Sequence, residues 1–256
     1  MAIHGKEYAM NYLRVEGLTK EYPGFTLQNV SFTFEQGKIM GLIGKNGAGK
    51  STTLKAILNM VCPNDGCIEV MGKNFRQNEK VCKQEIGIVL GGIDFYQYKK
   101  LSDITSVTRR FYKHWDKAAY KKYVQMFELD TKKQVHQLSA GMKVKYLIAM
   151  ALSHNAQMLI LDEPTSGLDP VAREDLLVLF RQIVKDGSRS ILFSTHITSD
   201  LDKCADSITY IKEGKVLASA DKKCFIQMFQ NLKEPGETNL TLEDIMIRTE
   251  RRDYDV

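Results

Sequence analysis

Eight consecutive residues, Gly44-Lys45-Asn46-Gly47-Ala48-Gly49-Lys50-Ser51, have types and spacing suited to holding phosphate. They fit G-x-x-x-x-G-K-S/T, with the apolar run Ile39-Met40-Gly41-Leu42-Ile43 before them and helix-forming residues after. Gly44, Gly47 and Gly49 let the backbone curl, so that the N–H groups of the loop, including those of Asn46 and Ala48, can point inward at β- and γ-phosphate oxygens. A helix beginning at Lys50 adds its unpaired N–H groups, those of Ser51 and Thr52 among them, and its positive dipole end. Lys50 brings a full positive charge, and the Ser51 hydroxyl is placed to ligate Mg²⁺.

A pair of carboxylates complements this loop. Leu159-Ile160-Leu161-Asp162-Glu163 reads as a buried strand with acids at its carboxyl end, where open α/β sheets bind ligands. Asp162 can hold a magnesium ion through its water shell. Glu163, one residue on, is suited to orienting or deprotonating an attacking water. These two motifs imply a nucleoside triphosphatase without saying which.

A third motif, Leu138-Ser139-Ala140-Gly141-Met142, opens an amphipathic helix whose apolar positions are Val144, Leu147, Ile148, Ala151 and Leu152. With it the chain resembles the ATP-binding-cassette family, whose signature reads Leu-Ser-Gly-Gly-Gln. The resemblance runs from about Leu13 to Ser219. Glu163-Pro164-Thr165-Ser166-Gly167-Leu168-Asp169 matches the end of Walker B and the D-loop, which implies a nucleotide contact for Asp169. Ser194-Thr195-His196 matches the switch histidine, which implies that His196 touches the γ-phosphate. Tyr22 stands where the family places an aromatic that stacks on adenine. Ser153-His154-Asn155-Ala156 and Thr195-His196-Ile197-Thr198-Ser199-Asp200-Leu201 extend the likeness to bacterial cassettes encoded beside GntR-type regulators.

Two positions depart from the family pattern. Ala140 replaces the first signature glycine and Met142 the glutamine, while Ser139 and Gly141 remain. Gly91 stands where the Q-loop glutamine is usual; Gln97 lies downstream, and the loop from Gly91 to Leu101 is the expected contact with a membrane partner. The signature is a second helix N-terminus with small residues, hence a second anion site, but the chain has one set of lysine, Mg²⁺ ligands and base. A head-to-tail pair reconciles these counts, with Ser139 and Gly141 of one subunit closing on the phosphate held by Lys50 of the other.

The elements that must position these groups are read in part from patterning. The fold class the resemblance implies is α/β: a P-loop NTPase core with an N-terminal antiparallel β subdomain and an inserted, mainly helical subdomain. The cassette is expected over residues 11–232, with the helical insertion at about 95–157 and a polar tail at 233–256. Alternation of Phe32 and Phe34 with Ser31, Thr33 and Glu35 marks an early strand. Leu54, Ile57, Leu58 and Val61 predict a helix after the phosphate loop, ended by Pro63-Asn64-Asp65-Gly66. Asp169, Pro170 and Gly187 cap, open and close a helix over 170–186. A hairpin is expected around Glu213-Gly214, and the capping box Thr241-Leu242-Glu243-Asp244 opens a short helix in the tail. Lys99-Lys100, Arg109-Arg110, Lys121-Lys122 and Lys132-Lys133 read as a solvated helical face, a phosphate-binding patch being the alternative.

Composition removes other classes. A 43% hydrophobic and 26% charged chain is globular, and a net charge of +5 does not by itself mark a nucleic-acid binder. No stretch approaches the roughly 18 apolar residues needed to cross a bilayer, and residues 1–10 do not read as a secretory signal. Cys62, Cys67, Cys82, Cys204 and Cys224 lack paired spacing and read as free thiols. The expectation is a cytoplasmic ATPase subunit using ATP and Mg²⁺. It would sit on the inner face of the membrane through a transmembrane permease subunit and pair with a second cassette, like or related, with no nucleic acid expected. The alternative is a soluble, non-transport cassette ATPase acting on nucleic acid, ribosome or cofactor assembly. A P-loop kinase or GTPase would leave the signature, D-loop and His196 without a purpose, and no Asn-Lys-x-Asp motif is present.

Overall fold

A computed structural model describes residues 11–90 and 96–251. Two sheets form its frame. The first is antiparallel, in the order β2 (Phe25–Glu35), β1 (Asn11–Tyr22), β4 (Asp65–Val70), β5 (Lys73–Asn74). Leu27, Val30, Phe32 and Phe34 of β2 are buried while their neighbours are exposed, the period of a half-buried strand.

The second sheet has the order β10 (Lys215–Asp221), β9 (Ser207–Lys212), β3 (Ile39–Ile43), β8 (Ser190–Thr195), β7 (Met158–Asp162), β6 (Ile86–Leu90). All its pairings are parallel except that of β10 with β9. Every residue of β3 and β8 is buried, as parallel strands covered on both faces require. Alternate side chains serve different layers. Met40, Leu42, Met158, Ile160 and Leu192 pack with the antiparallel sheet and the first helix, α1 (Lys50–Ile57). Ile39, Ile43, Leu159, Leu161, Ile191 and Phe193 pack instead with α5 (Ala140–Ser153) and α6 (Pro170–Val184).

The register matters for function. Ile43 pairs with Thr195, and Asp162 with Ser194, so the carboxyl ends of β3, β7 and β8 finish on one edge. The loop after each strand therefore opens onto the same space, although the three segments are far apart in sequence.

The mainly helical stretch contains α3 (Leu101–Thr108), α4 (Lys117–Met126) and α5, after the short α2 (Glu79–Cys82). Thr105 joins these helices from within: its hydroxyl lies 2.9 Å from both Tyr120 and Tyr146 hydroxyls. Lys121, Lys122, Lys132 and Lys133 are exposed, so these lysines form a solvated face. The face of α5 is broader than the amphipathic pattern anticipated: Tyr146, Ala149 and Met150 are buried as well, whereas Leu147 is only half-buried. Asp169 caps α6 as expected, accepting from the N–H groups of Val171 and Ala172 at 3.0 Å.

Residues 233–251 pack onto the rest of the chain. Leu240, Leu242 and Ile245, from and before α9 (Leu242–Glu250), enter the same core as α5 and α6. The capping box of Thr241 and Asp244 opens α9. Two further helices, α7 (Thr198–Cys204) and α8 (Lys222–Met228), precede it in sequence. All five cysteines are free thiols. Among the described residues, no helix is long and apolar enough to cross a membrane.

Candidate functional site

The phosphate loop is shaped by positions where only glycine fits. Gly44 has φ 151°, and a Cβ there would lie 2.2 Å from the backbone oxygen of Ile211. Gly49 has φ 114° and forms the N-cap of α1, turning the chain directly from loop into helix. Lys50, 5% exposed, folds back under the loop. Its Nζ donates to the carbonyl oxygens of Gly44 at 2.7 Å and Lys45 at 3.2 Å, and lies 3.5 Å from Glu163 Oε1. A buried ammonium must find such acceptors or an anion.

At the ends of β7 and β8, one carboxylate oxygen joins three segments. Asp162 Oδ1 accepts from the Ser51 hydroxyl at 3.0 Å and from the Ser194 hydroxyl at 2.5 Å. Ser194, fully buried, in turn accepts from the Glu163 N–H at 3.0 Å. Sequence reasoning matched Ser194 to a motif but gave it no role. Its function becomes visible only when β7 and β8 pair, because it holds Asp162 and Glu163 together.

Glu163 has φ 49°, the left-handed region that a non-glycine residue occupies at a cost of about 1–3 kcal/mol. Its N–H bonds to Ser194, at both the carbonyl and the hydroxyl, compensate for that strain. The turn aims the carboxylate sideways, between Lys50 and His196, whose Nδ1 lies 2.8 Å from Oε2. Glu163 is thus held on both oxygens, with a cation on one side and an imidazole on the other.

Lys50, Ser51, Glu163 and His196 border a cavity of about 670 Å³, lined also by Gly24, Phe25, Asn46, Gly47, Gly49, Thr52 and Ser166, with Asp162 behind Ser51. The volume is within the range of small-molecule sites. Gly24, Phe25 and Ser166 were not anticipated. Phe25 is the cross-strand partner of Tyr22 in the β1–β2 pairing, and the turn at Pro23-Gly24 brings Phe25 to the cavity wall. Tyr22, 39% exposed, lies outside the lining, with Lys20 Nζ 5.4 Å from its ring centroid. A second aromatic across a tight turn from the expected one is the signal that could have identified Phe25.

Ser139, Gly141 and Asp169 do not line the cavity either. Ser139, exposed, accepts from the Met142 N–H at 3.2 Å and so caps α5. A Cβ on Gly141 would meet Leu168 and Ala172 at 3.6 and 3.7 Å, so the start of α5 rests on the segment that opens α6. Gly91 lies outside the described residues.

The arrangement can bind a polyphosphate at a helix N-terminus, place hard oxygen ligands beside it and present a carboxylate base. Comparison with known proteins agrees. Residues 27–166, more than half of the chain, match the family model described as ABC transporter. The bacitracin transport ATP-binding protein BcrA of Bacillus licheniformis is 34% identical over 208 residues, covering 80% of this chain and 68% of that protein. The ABC-type transporter ATP-binding protein EcsA of Bacillus subtilis is 31% identical over 250 residues, covering 95% and 98%. A solved structure of an ATP-binding subunit of an ABC transporter superposes with a TM-score of 0.81 at 26% identity, over 94% of this chain and all of that one.

Proposed function

The chain belongs to the ABC transporter family as an ATP-binding, ATP-hydrolysing subunit, and on that premise we propose that its cavity works between two cassettes packed head to tail and drives a separate transmembrane permease. The observation that carries the nucleotide-site part of this reading is the convergence of Ser51, Asp162, Glu163, Lys50 and His196 on one sheet edge.

Each residue then has a definable task. The loop N–H groups from Gly44 to Gly49, with those of Ser51 and Thr52, receive the phosphates, and Lys50 turns its charge toward them. Phe25 and Tyr22 offer aromatic surface to the base; stacking of this kind contributes about 1–3 kcal/mol. Ser51 and Asp162 suit Mg²⁺, which takes oxygen ligands and is commonly held by one or two protein groups with water and phosphate supplying the rest. The Ser51 hydroxyl and the Asp162 carboxylate, 3.0 Å apart, are two hard oxygen donors that fit this chemistry. Bound there, the ion would neutralise charge on the phosphoryl oxygens.

Glu163 takes the proton of the attacking water as the general base. An ionised Glu163 only accepts hydrogen bonds, so Nδ1 of His196 carries a proton when it faces Oε2. The Nε2 atom is left for a phosphate oxygen, and it donates there only when the ring is an imidazolium. His196 thereby orients the base while sensing the phosphate.

The second cassette is inferred from what the cavity omits. Ser139 and Gly141 open a 14-residue helix, yet they line no part of the site beside Lys50 in the same chain. In a two-fold pair they would close on the partner's phosphate, and Asp169 would face the same interface while capping α6. The cap leaves Ala140 exposed, so its Cβ narrows the approach in place of the usual glycine.

The relatives' names favour transport over a non-transport role, and the permease reading makes this a protein held at the inner face of the membrane by its partner. The segments 153–156 and 195–201 support the narrower subgroup of cassettes encoded beside GntR-type regulators.

Mixing two inactive variants tests the shared site. Ser139→Arg should bind ATP as a monomer but fail to hydrolyse it, and Lys50→Ala should fail to bind. Together they should regain activity, because one of the two composite sites is whole. No recovery would overturn the head-to-tail reading.

A further inference from the structure

The phosphate loop has a second set of contacts, on the side away from Glu163. Lys45, its second residue, extends to the end of α9. Its Nζ lies 2.8 Å from the Glu250 carbonyl oxygen and 3.3 Å from Glu250 Oε2. Lys212, at the end of β9, donates to the Thr249 carbonyl oxygen at 2.8 Å. Two lysines therefore complete the last carbonyls of α9, at the end where a helix carries partial negative charge.

The Glu250 carboxylate is the pivot of this cluster. Its side chain is only 10% exposed, and its other oxygen, Oε1, accepts from the Tyr210 hydroxyl at 2.8 Å. Burial and the adjacent carboxylate both push the Tyr210 phenol up, so Tyr210 stays a donor. Glu213 and Arg251 are the other charged groups around the adjoining cavity of about 490 Å³, which shares Gly24, Phe25, Asn46 and Gly47 with the nucleotide cavity.

Lys45 is not a peripheral part of the loop. Its carbonyl oxygen accepts from Lys50 Nζ and from the Ala48 N–H at 3.1 Å, so it is the inner hinge on which the loop curls. The β9–β10 turn fixes the outer wall through the Gly214 N–H, 3.0 Å from the Ala48 carbonyl oxygen. One residue of the loop is thus gripped at its carbonyl from within and at its ammonium from α9.

We propose that Glu250 is a positioning residue of the nucleotide site. Through Lys45 it holds the phosphate loop in its curled, phosphate-receiving form, which makes the C-terminal segment part of the ATP-binding apparatus. The inference rests on the nucleotide-site reading above. It also explains why α9 is anchored twice: by Leu242 and Ile245 in the core, and by Arg248 on Glu237, whose carboxylate that guanidinium lowers to about 2. Loosening α9 would release the loop.

The test compares parent, Glu250→Gln, Lys45→Ala and the double variant, all full length. ATP with Mg²⁺ is titrated calorimetrically, and amide hydrogen exchange is followed over residues 44–49 without nucleotide. Glu250→Gln keeps an acceptor for Tyr210 but lowers the charge facing Lys45. We expect about tenfold weaker ATP binding, faster exchange in the loop and little change in melting temperature. In the Lys45→Ala background, Glu250→Gln should add nothing, an outcome a merely structural role for α9 would not produce. ATP affinity within twofold of the parent, or an undiminished loss in the Lys45→Ala background, overturns the inference alone. A parent that binds no ATP overturns the nucleotide-site reading and this inference with it.

Discussion

Replacing Lys50 by methionine separates the two tasks of the most buried charge in the site. In the structure its Nζ makes bonds to two loop carbonyls, at 2.7 and 3.2 Å, and sits 3.5 Å from Glu163. Hydrogen bonds from a charged donor are worth about 1.5–3 kcal/mol each. Their loss is only partly offset: methionine fills a similar volume and a desolvated ammonium disappears, but the Gly44 carbonyl loses its donor. The folded state should therefore lose about 1–2 kcal/mol. Binding of ATP has no such offset, since the phosphates lose their nearest full positive charge. A loss of about 3 kcal/mol, at 1.36 kcal/mol per tenfold, means affinity roughly 150-fold weaker. Calorimetric titration with ATP and with AMP, alongside thermal melts, reads all three quantities. ATP affinity should fall by about two decades while AMP affinity holds and the melting temperature drops by only a few degrees. ATP binding within about threefold of the parent would refute the placement of Lys50 at the phosphates. A parallel loss of AMP binding and stability would show instead that the loop had collapsed.

Other outcomes follow from the same geometry. Glu163→Gln should still bind ATP but hydrolyse it about 10²–10⁴-fold more slowly, measured by phosphate release; parental turnover would exclude Glu163 as the base. Asp169→Ala should cost about 1 kcal/mol in urea unfolding through loss of the α6 cap, whereas Asp169→Asn should cost little; equal losses would place the effect elsewhere. His154, buried against Tyr112 with its Nδ1 on the Gln84 carbonyl, has its pKa lowered by burial to about 4. Between pH 6.5 and 4 the unfolded chain binds this proton and the folded chain does not, so stability falls as the medium is acidified, by about 3 kcal/mol in all. A His154→Gln variant should show a flatter decline in unfolding free energy across that window, and an unchanged slope would contradict the assignment.

The parts of the site that were legible in the sequence are those whose geometry is local. The phosphate loop lies in eight consecutive residues between a strand and a helix, so its glycine spacing is readable locally even though Ile211, Gly214 and Glu250 also contact it. The cap, opening proline and closing glycine of α6 are equally local: Gly187, with φ 73°, donates to the Val184 carbonyl just past the helix end. The helix after the phosphate loop was overextended, because apolar spacing reached Val61 whereas Leu58 already caps α1 and Asn59 turns to φ 54°. What remained hidden depends on long-range pairing. Ser194 joins Asp162 across 32 residues only because β7 and β8 lie side by side, and Lys45 meets Glu250 across 205 residues. The appearance of Phe25 at the cavity wall, beside the expected Tyr22, has a third cause, since a turn reverses the chain between two aromatics that one-dimensional matching treats as neighbours.

Light scattering of the Glu163→Gln variant with and without ATP and Mg²⁺ tests the central claim most directly. The account predicts a doubling from the 29.1 kDa of one chain on adding nucleotide, abolished when Ser139→Arg is introduced as well. A particle that keeps the mass of one chain while saturated with ATP would contradict it.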